Sequence, residues 1–290
     1  MKKLLFLLLM LPMLGFSQRD MSDIEIKSTE MAPGIYRLYI GDGVAMIAYY
    51  GDDGLLVIDA AYEQTSEKVM NELESLGGNN IHYLINTHQH GDHTGGNKVI
   101  GKDADIISHH HVKDFVSKDR GEGESKQEAF PDYARPNISF SDSMTMRFND
   151  QTLTLIHLPG GHTGGDIIIY FPDSKVLAAG DLLFADRFPY VDIQNGGNPF
   201  RYIENGHWIA KNFPHDVTII GGHGPVYSMD EFKEHNKILE KTIGVIKKAK
   251  EKGKSLEQMQ EEQILEKWEE YGWNFISEDK WIETIYGSLE

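Results

Sequence analysis

Thr87-His88-Gln89-His90-Gly91-Asp92-His93-Thr94-Gly95-Gly96-Asn97 places three imidazoles and a carboxylate within six positions, directly after the short apolar run 82–86. Such groups prefer water or a partner, so several in one turn are costly to leave idle. A lone histidine there would read as structural. Four donors together suit a borderline cation such as zinc, which takes imidazole nitrogen and carboxylate oxygen. A helical zinc-protease motif would need histidines at i and i+4 with Glu between. The closer spacing here means that the ligands splay from a loop.

Working outward, residues 25–59 alternate β-rich runs with turn residues: 35–40, Gly41-Asp42-Gly43, 44–50, 51–54 and 55–58, a strand and hairpin pattern. Residues 63–76 change to helical spacing, with Val69, Leu73 and Leu76 on one face and Gly77-Gly78 closing it. Further strands are predicted at 106–108, 152–157, 167–171 and 176–179. The polar stretch 118–137 is expected to be a mobile surface loop. A helix at 202–212 leads into a strand at 217–221.

Donors recur beside glycines at the ends of these strands: Gly160-Gly161-His162-Thr163-Gly164-Gly165-Asp166, Ala179-Gly180-Asp181 and Gly221-Gly222-His223. Glycine lets the backbone pass close to a crowded centre. With the first cluster this makes seven candidate donors, His88, His90, Asp92, His93, His162, Asp181 and His223, enough for two metals.

Residues 1–17 carry Lys2 and Lys3, an apolar run from Leu4 to Phe16 and the small-x-small triplet Gly15, Phe16, Ser17, the order of a cleaved signal peptide. The run is short for a spanning helix and Pro12 interrupts it. A periplasmic or secreted protein with no membrane anchor after cleavage is therefore expected. The chain has no cysteine to carry a lipid or a disulfide. Its net charge of −17 argues against nucleic acid, which requires a positive patch, and leaves a small molecule as the expected partner. Residues 18–228 are read as one catalytic domain. Residues 229–290 are read as a C-terminal helical extension packed on it, whose aromatics Trp268, Tyr271, Trp273, Phe275, Trp281 and Tyr286 serve packing. Shaping a pocket wall is their alternative role.

The pattern His88-x-His90-x-Asp92-His93, followed by His162, Asp181 and His223 in this order, resembles the metallo-β-lactamase superfamily across roughly residues 35–227. That resemblance implies a four-layer αββα sandwich with the metals at one edge between two sheets. It implies His88, His90 and His162 on one metal, Asp92, His93 and His223 on the other, and Asp181 bridging two divalent ions, expected to be Zn2+. It also implies a hydrolase with a bridging hydroxide, acting on an ester, lactone, thioester or amide, with weak β-lactamase action as a side activity. An aspartate at position 181, in a chain without cysteine, is similar to the glyoxalase II, lactonase and phosphodiesterase branches. A di-iron redox enzyme on the same scaffold and a non-catalytic exported metal-binding module stand as alternatives.

Asp92 is the candidate catalytic residue, orienting the nucleophile and passing its proton onward. Asp59 is either an acceptor for a ligand imidazole N–H or a cap for the helix at 63–76. Asp166 is either a partner near His162 or a turn cap. His109-His110-His111 reads as a half-exposed helix start rather than a metal tract. His82, His157, His207, His215 and His235 read as structural. The segment 184–200, with Asp186, Arg187, Tyr190, Asp192, Gln194 and Asn195, should lie along the rim of the site, either reading a substrate or satisfying its own backbone.

Overall fold

Residues 55–58, Leu-Leu-Val-Ile, form a strand with no polar member because both of its faces are covered. In the computed structural model, which describes Met21 and residues 23–41, 43–123 and 126–289, Leu56 and Ile58 join one buried cluster and Leu55 and Val57 another. Only a sheet buried on both sides favours such a run. The signal peptide read at residues 1–17 lies outside the described residues. Within them, no helix is long and apolar enough to cross a membrane.

The first sheet holds seven strands in chain order: β1 (Ile26–Ala32), β2 (Ile35–Ile40), β3 (Val44–Gly51), β4 (Gly54–Ile58), β5 (Ile81–Asn86), β6 (Asp105–His109) and β7 (Ile138–Phe140). Up to β4 the pairing is antiparallel; from β4 to β7 it is parallel. Parallel neighbours need crossovers. These contain α1 (Ser66–Leu76), the single turns α2 (Gly91–Thr94) and α3 (Asn97–Ile100), and α4 (His110–Val116). The second sheet runs β8 (Ser143–Phe148), β9 (Gln151–His157), β10 (Ile167–Phe171), β11 (Val176–Phe184), β12 (Thr218–His223) and β13 (Tyr227–Ser228). Its one parallel pair among these strands, β11 with β12, is linked through α5 (Pro199–Asn212). The chain ends in α6 (Met229–Glu251), α7 (Leu256–Glu261) and α8 (Glu278–Ser288).

Three apolar clusters set the layers. Ile47, Leu56, Ile85 and Ile107 of the first sheet meet Leu155, Ile169 and Ile220 of the second between the sheets. Val69 and Leu73 of α1 cover the outer face of the first sheet at Leu55 and Val57. Ile209, Leu239 and Trp281, from α5, α6 and α8, cover the outer face of the second at Leu177 and Ala179. The result is the αββα sandwich expected from the resemblance.

The structure departs from the sequence reading in several places. β11 runs on to Phe184 and does not stop at residue 179, so Asp181 lies inside a strand. The stretch 118–137, expected to be a mobile loop, buries Phe130 and Ala134 against Val116 and pairs Arg120 with Gln127. A 3-10 turn at Glu63–Thr65 precedes α1. Strands β1, β7 and β8 were not predicted: β7 has three residues and β1 is rich in charged and hydroxyl side chains, although β8 alternates Met144, Met146 and Phe148 with polar residues as a half-buried strand does.

The C-terminal helices share the main core. Trp281 of α8 is fully buried, stacks on Phe188 at 5.6 Å and donates its indole N–H to Thr242 Oγ1 of α6 at 2.9 Å. Trp281→Ala should destabilise the protein by about 3–5 kcal/mol, measured by denaturant unfolding. His235 of α6 is buried against Tyr271, and neither ring nitrogen has a hydrogen-bond partner. Burial lowers its pKa to about 4. It stays neutral in the folded protein while the unfolded chain takes up a proton near pH 6.5, so stability should fall as pH drops from about 6.5 to about 4. His235→Phe should lose less over that interval, by on the order of 3 kcal/mol, in paired unfolding curves at pH 7 and 4.5.

Candidate metal centre

The donors converge at the carboxyl ends of the inner strands. β5 ends at Asn86 and delivers Thr87 and His88; His90 then stands at the N-cap of α2, which carries Asp92 and His93. The two ends of this segment are clamped by a reciprocal amide pair, Asn86 Nδ2 to Asn97 Oδ1 at 3.0 Å and Asn97 Nδ2 to Asn86 Oδ1 at 2.8 Å, both side chains fully buried. His162 comes from the β9–β10 connection. Asp181 comes from β11, where the pairing with β12 shifts register on both sides of Gly180. That irregularity re-aims the side chain that follows. Gly180 has φ +50°, and a Cβ there would meet Thr87 at 2.8 Å. His223 closes β12, and a Cβ on the preceding Gly222 would lie 2.0 Å from Asp181 Oδ1. Both glycines are required by the close approach of a donor-bearing segment.

All seven candidate donors meet here, in two groups: His88, His90, His162 and Asp181, and Asp92, His93 and His223. The Asp181 carboxylate stands between them. Its Oδ2 is 3.2 Å from His162 Nε2 and 3.3 Å from His223 Nε2, while its Oδ1 is 3.2 Å from His93 Nε2. Asp92 Oδ2 is 3.4 Å from His223 Nε2 and 3.6 Å from His93 Nε2.

Every imidazole of the centre is fixed from behind. His93 Nδ1 donates to Asp59 Oδ2 at 2.8 Å, His90 Nε2 to Asp192 Oδ2 at 2.8 Å, His162 Nδ1 to the Tyr190 carbonyl at 2.7 Å and His223 Nδ1 to the Gly43 carbonyl at 2.6 Å. Thr87 Oγ1 gives its proton to Asp59 Oδ2 and so accepts from His88 Nδ1 at 3.1 Å. These acceptors assign the proton to the outer nitrogen of each ring. The inner nitrogens then present lone pairs to one another: His90 Nδ1 lies 2.8 Å from His162 Nε2 and 3.2 Å from His88 Nε2. Lone pairs at such distances repel unless a cation lies among them. His93 Nε2 and Asp181 Oδ1 are also buried with no hydrogen-bond partner. Imidazole nitrogens and carboxylate oxygens disposed in this way fit divalent cations.

Titration divides the rings between those that stay neutral and those that take up a proton in place of a metal cation. Burial pushes His88 well below its ordinary pKa and His162 down to about 3, leaving neutral imidazoles, the form that binds metal. Burial pushes Asp92 and Asp181 up, but the surrounding histidines outweigh it, holding Asp92 at about 2 and Asp181 well below the usual carboxylate range. Burial opposes charge on His93 and His223, yet Asp181 and Asp92 raise both, His223 to about 9. The carboxylates draw positive charge into the centre, where protons and metal cations compete for the same lone pairs.

The structure resolves the alternatives left open for Asp59 and Asp166. Asp59, held at φ +64°, accepts from Thr87 N, Thr87 Oγ1 and His93 Nδ1 and caps no helix. Asp166 accepts from the His162 and Thr163 N–H groups and the Thr163 hydroxyl, a turn cap behind a donor. His109-His110-His111 begins α4 as expected, with His109 Nε2 engaged by the Ser141 carbonyl, His111 Nδ1 by that of Gly164 and His157 stacked on His109. The three rings also bring donor atoms within 4.8 Å of one another, so the metal-tract alternative stays open. His82, His207, His215 and His235 stand apart, the first three beside Asn80, Glu240 and Asp230. Asp192 was visible only as a polar side chain of the rim, because its pairing with His90 spans 102 positions. The Tyr190 and Gly43 carbonyls carry no side-chain signature at all. Of the tail aromatics, Trp273 and Phe275 line the cleft over the centre, about 2090 Å³ in volume, together with Asp186, Arg187 and Tyr190.

With this geometry in view, residues 40–223 match the family described as the metallo-beta-lactamase superfamily. The chain belongs to that superfamily. A relative named metallo-beta-lactamase type 2, from Elizabethkingia meningoseptica, is 22% identical over 267 residues, covering 88% of this chain and 99% of the relative. An uncharacterised protein of Aquifex aeolicus (strain VF5) is 27% identical over 173 residues, 58% of this chain and 77% of its own length. A solved structure titled metallo-beta-lactamase from Pontibacter korlensis superposes with a TM-score of 0.59 at 16% identity, over 74% of this chain and 99% of its own. At that identity the likeness is one of fold.

The carboxylate behind His90 yields a direct test. Asp192→Ala should weaken divalent-cation affinity about 10–100-fold, measured by competition with a chromophoric chelator. The melting temperature of the chelator-stripped protein should stay close to that of the parent.

Proposed function

We propose that this chain is an exported, dinuclear, zinc-dependent hydrolase that cleaves an ester, lactone, thioester or amide. The observation that carries the reading is the set of inward lone pairs: five imidazoles with their protons held on the outer side, in two groups joined by Asp181. Family membership supports hydrolysis, and the signal-like pattern at residues 1–17 supports export.

Bound divalent cations would supply Lewis acidity toward the carbonyl and lower the pKa of water. The chain's own residues supply the rest. Asp59, Thr87, Asp192, Tyr190 and Gly43 hold the rings at fixed angles, so little reorganisation accompanies the reaction. Asp92 is ionised and its side chain is 19% exposed toward the cleft, where it can accept a proton from the attacking water and return it to the leaving group. The relative named a metallo-beta-lactamase keeps β-lactams in the panel as a side activity; Asp181 in a chain with no cysteine ranks them below esters and lactones.

Metal analysis of protein from its native compartment, followed by an ester, lactone, thioester, phosphodiester and β-lactam panel, tests the reading. Two zinc ions per chain with carbonyl turnover would support it; iron with oxygen or sulfur redox activity would replace it with the di-iron alternative. Metal-loaded protein inert on the whole panel would favour a binding module. Asp92→Asn should reduce kcat by about 10²–10⁴-fold at retained metal content. Full turnover in that variant would remove the proton-transfer role.

A further inference from the structure

The tail beyond the family-matched region returns to the mouth of the metal centre. Residues 272–275, between a 3-10 stretch (Glu266–Tyr271) and α8, put Trp273 and Phe275 into the cleft wall. Trp273 is fixed: its indole N–H donates to the Phe188 carbonyl at 2.9 Å and its backbone N–H to Ile276 at 3.0 Å. Its ring lies 6.2 Å from Phe184 and 6.4 Å from His223. Phe275 lies 5.2 Å from Tyr190, whose ring is 5.6 Å from His90 and 5.8 Å from His162. A continuous floor of rings therefore links the two donor groups.

Phe275 is 47% exposed, although large rings gain most by burial. Arg187 lies over Trp273, its guanidinium carbon 5.2 Å from the ring centre. Its Nε donates to the Ala185 carbonyl at 3.3 Å, and among the described residues no carboxylate pairs with its terminal nitrogens. Acids are not scarce, with 45 Asp and Glu against 28 Lys and Arg. A guanidinium backed by a ring, with its terminal N–H groups unspent, is preorganised for a planar carboxylate.

The geometry points to a recognition subsite in which Trp273 and Phe275 stack a flat apolar group of the substrate and Arg187 holds a carboxylate that the same molecule carries. The bond cleaved is taken from the hydrolase reading above; the binding chemistry of the subsite does not depend on it. The substrate class is an aryl-bearing carbonyl compound with an anionic substituent, and the tail acts as its specificity element.

The test uses the full-length mature, metal-loaded protein and four esters: acetyl or phenylacetyl, each with a neutral or a carboxylate-bearing alcohol. The parent should favour the phenylacetyl carboxylate ester over the neutral acetyl ester by about tenfold or more in kcat/KM. In Trp273→Ala the ring preference should collapse, and in Arg187→Gln the carboxylate preference, each chiefly through KM; Arg187→Lys should restore part of the latter. Melting temperature and bound metal establish that the variants are folded and loaded, and Trp208→Ala, on α5, is the remote control. Preferences unchanged in both variants, or absent from the parent, would overturn the subsite. If the parent cleaves no ester, the hydrolase reading fails, and the subsite is judged by calorimetric binding of 4-phenylbutyrate against butyrate. Tighter binding of the aryl acid that is lost in both variants upholds it; equal binding of the two acids overturns it.

Discussion

Five histidines turn their unprotonated nitrogens toward one small volume, and the rest of the structure is what makes that arrangement tolerable. Imidazoles left to themselves would rotate or take up protons to relieve the repulsion. Here each ring is held by an acceptor on its far side, from Asp59 beneath His93 to the Gly43 carbonyl beneath His223. The acceptors all lie in connections: Gly43, Asp59 and Thr87 beside strands of the first sheet, Tyr190 and Asp192 after β11 of the second. The angles of the rings are thus a property of the whole sandwich, and three of the supports, Asp59, Thr87 and Asp192, are themselves buried.

The same constraint explains the glycines. Gly180 and Gly222 are where one donor-bearing backbone passes another with no room for a methyl group. The bulge at Gly180 interrupts the parallel pairing of β11 and β12, a local loss of regularity in a strand otherwise buried throughout. Regular pairing would have aimed the side chain at 181 elsewhere. Irregularity of this kind is concentrated where function needs it.

Much of this was legible in the sequence because chemistry-bearing residues are conspicuous when they cluster. His88, His90, Asp92 and His93 stand within six positions, and His162, Asp181 and His223 each sit beside glycine. The inner strands were legible because two-sided burial writes a continuous apolar run, as in Leu55 to Ile58. Of the edge strands, β7 is too short to show a period and β1 is mostly polar, while the alternation of Met144, Met146 and Phe148 in β8 is a legible strand pattern left unused. Asp192 lay hidden for another reason: a carboxylate in a polar loop has many equivalent explanations until the fold brings His90 to it. The roles of the Tyr190 and Gly43 carbonyls could not have been read, since every residue has one. The two uses of the tail aromatics, Trp281 in the core and Trp273 in the cleft, differ only by tertiary position.

The bond from His223 to the Gly43 carbonyl joins residues 180 positions apart, and Arg37 reaches the Gly224 carbonyl across 187. Contacts of such span close late, after the chain entropy of both sheets has been spent. A half-assembled chain, with the first sheet formed and the second undocked, would hold the clustered histidines of residues 88–93 without His162, Asp181 and His223, and with the Gly43 carbonyl still unpaired. Its grip on a cation would be loose and its ring angles unset. Metal binding would therefore be coupled to the docking of the two sheets, and in a chain without cysteine the ion would take the place of a covalent latch between them.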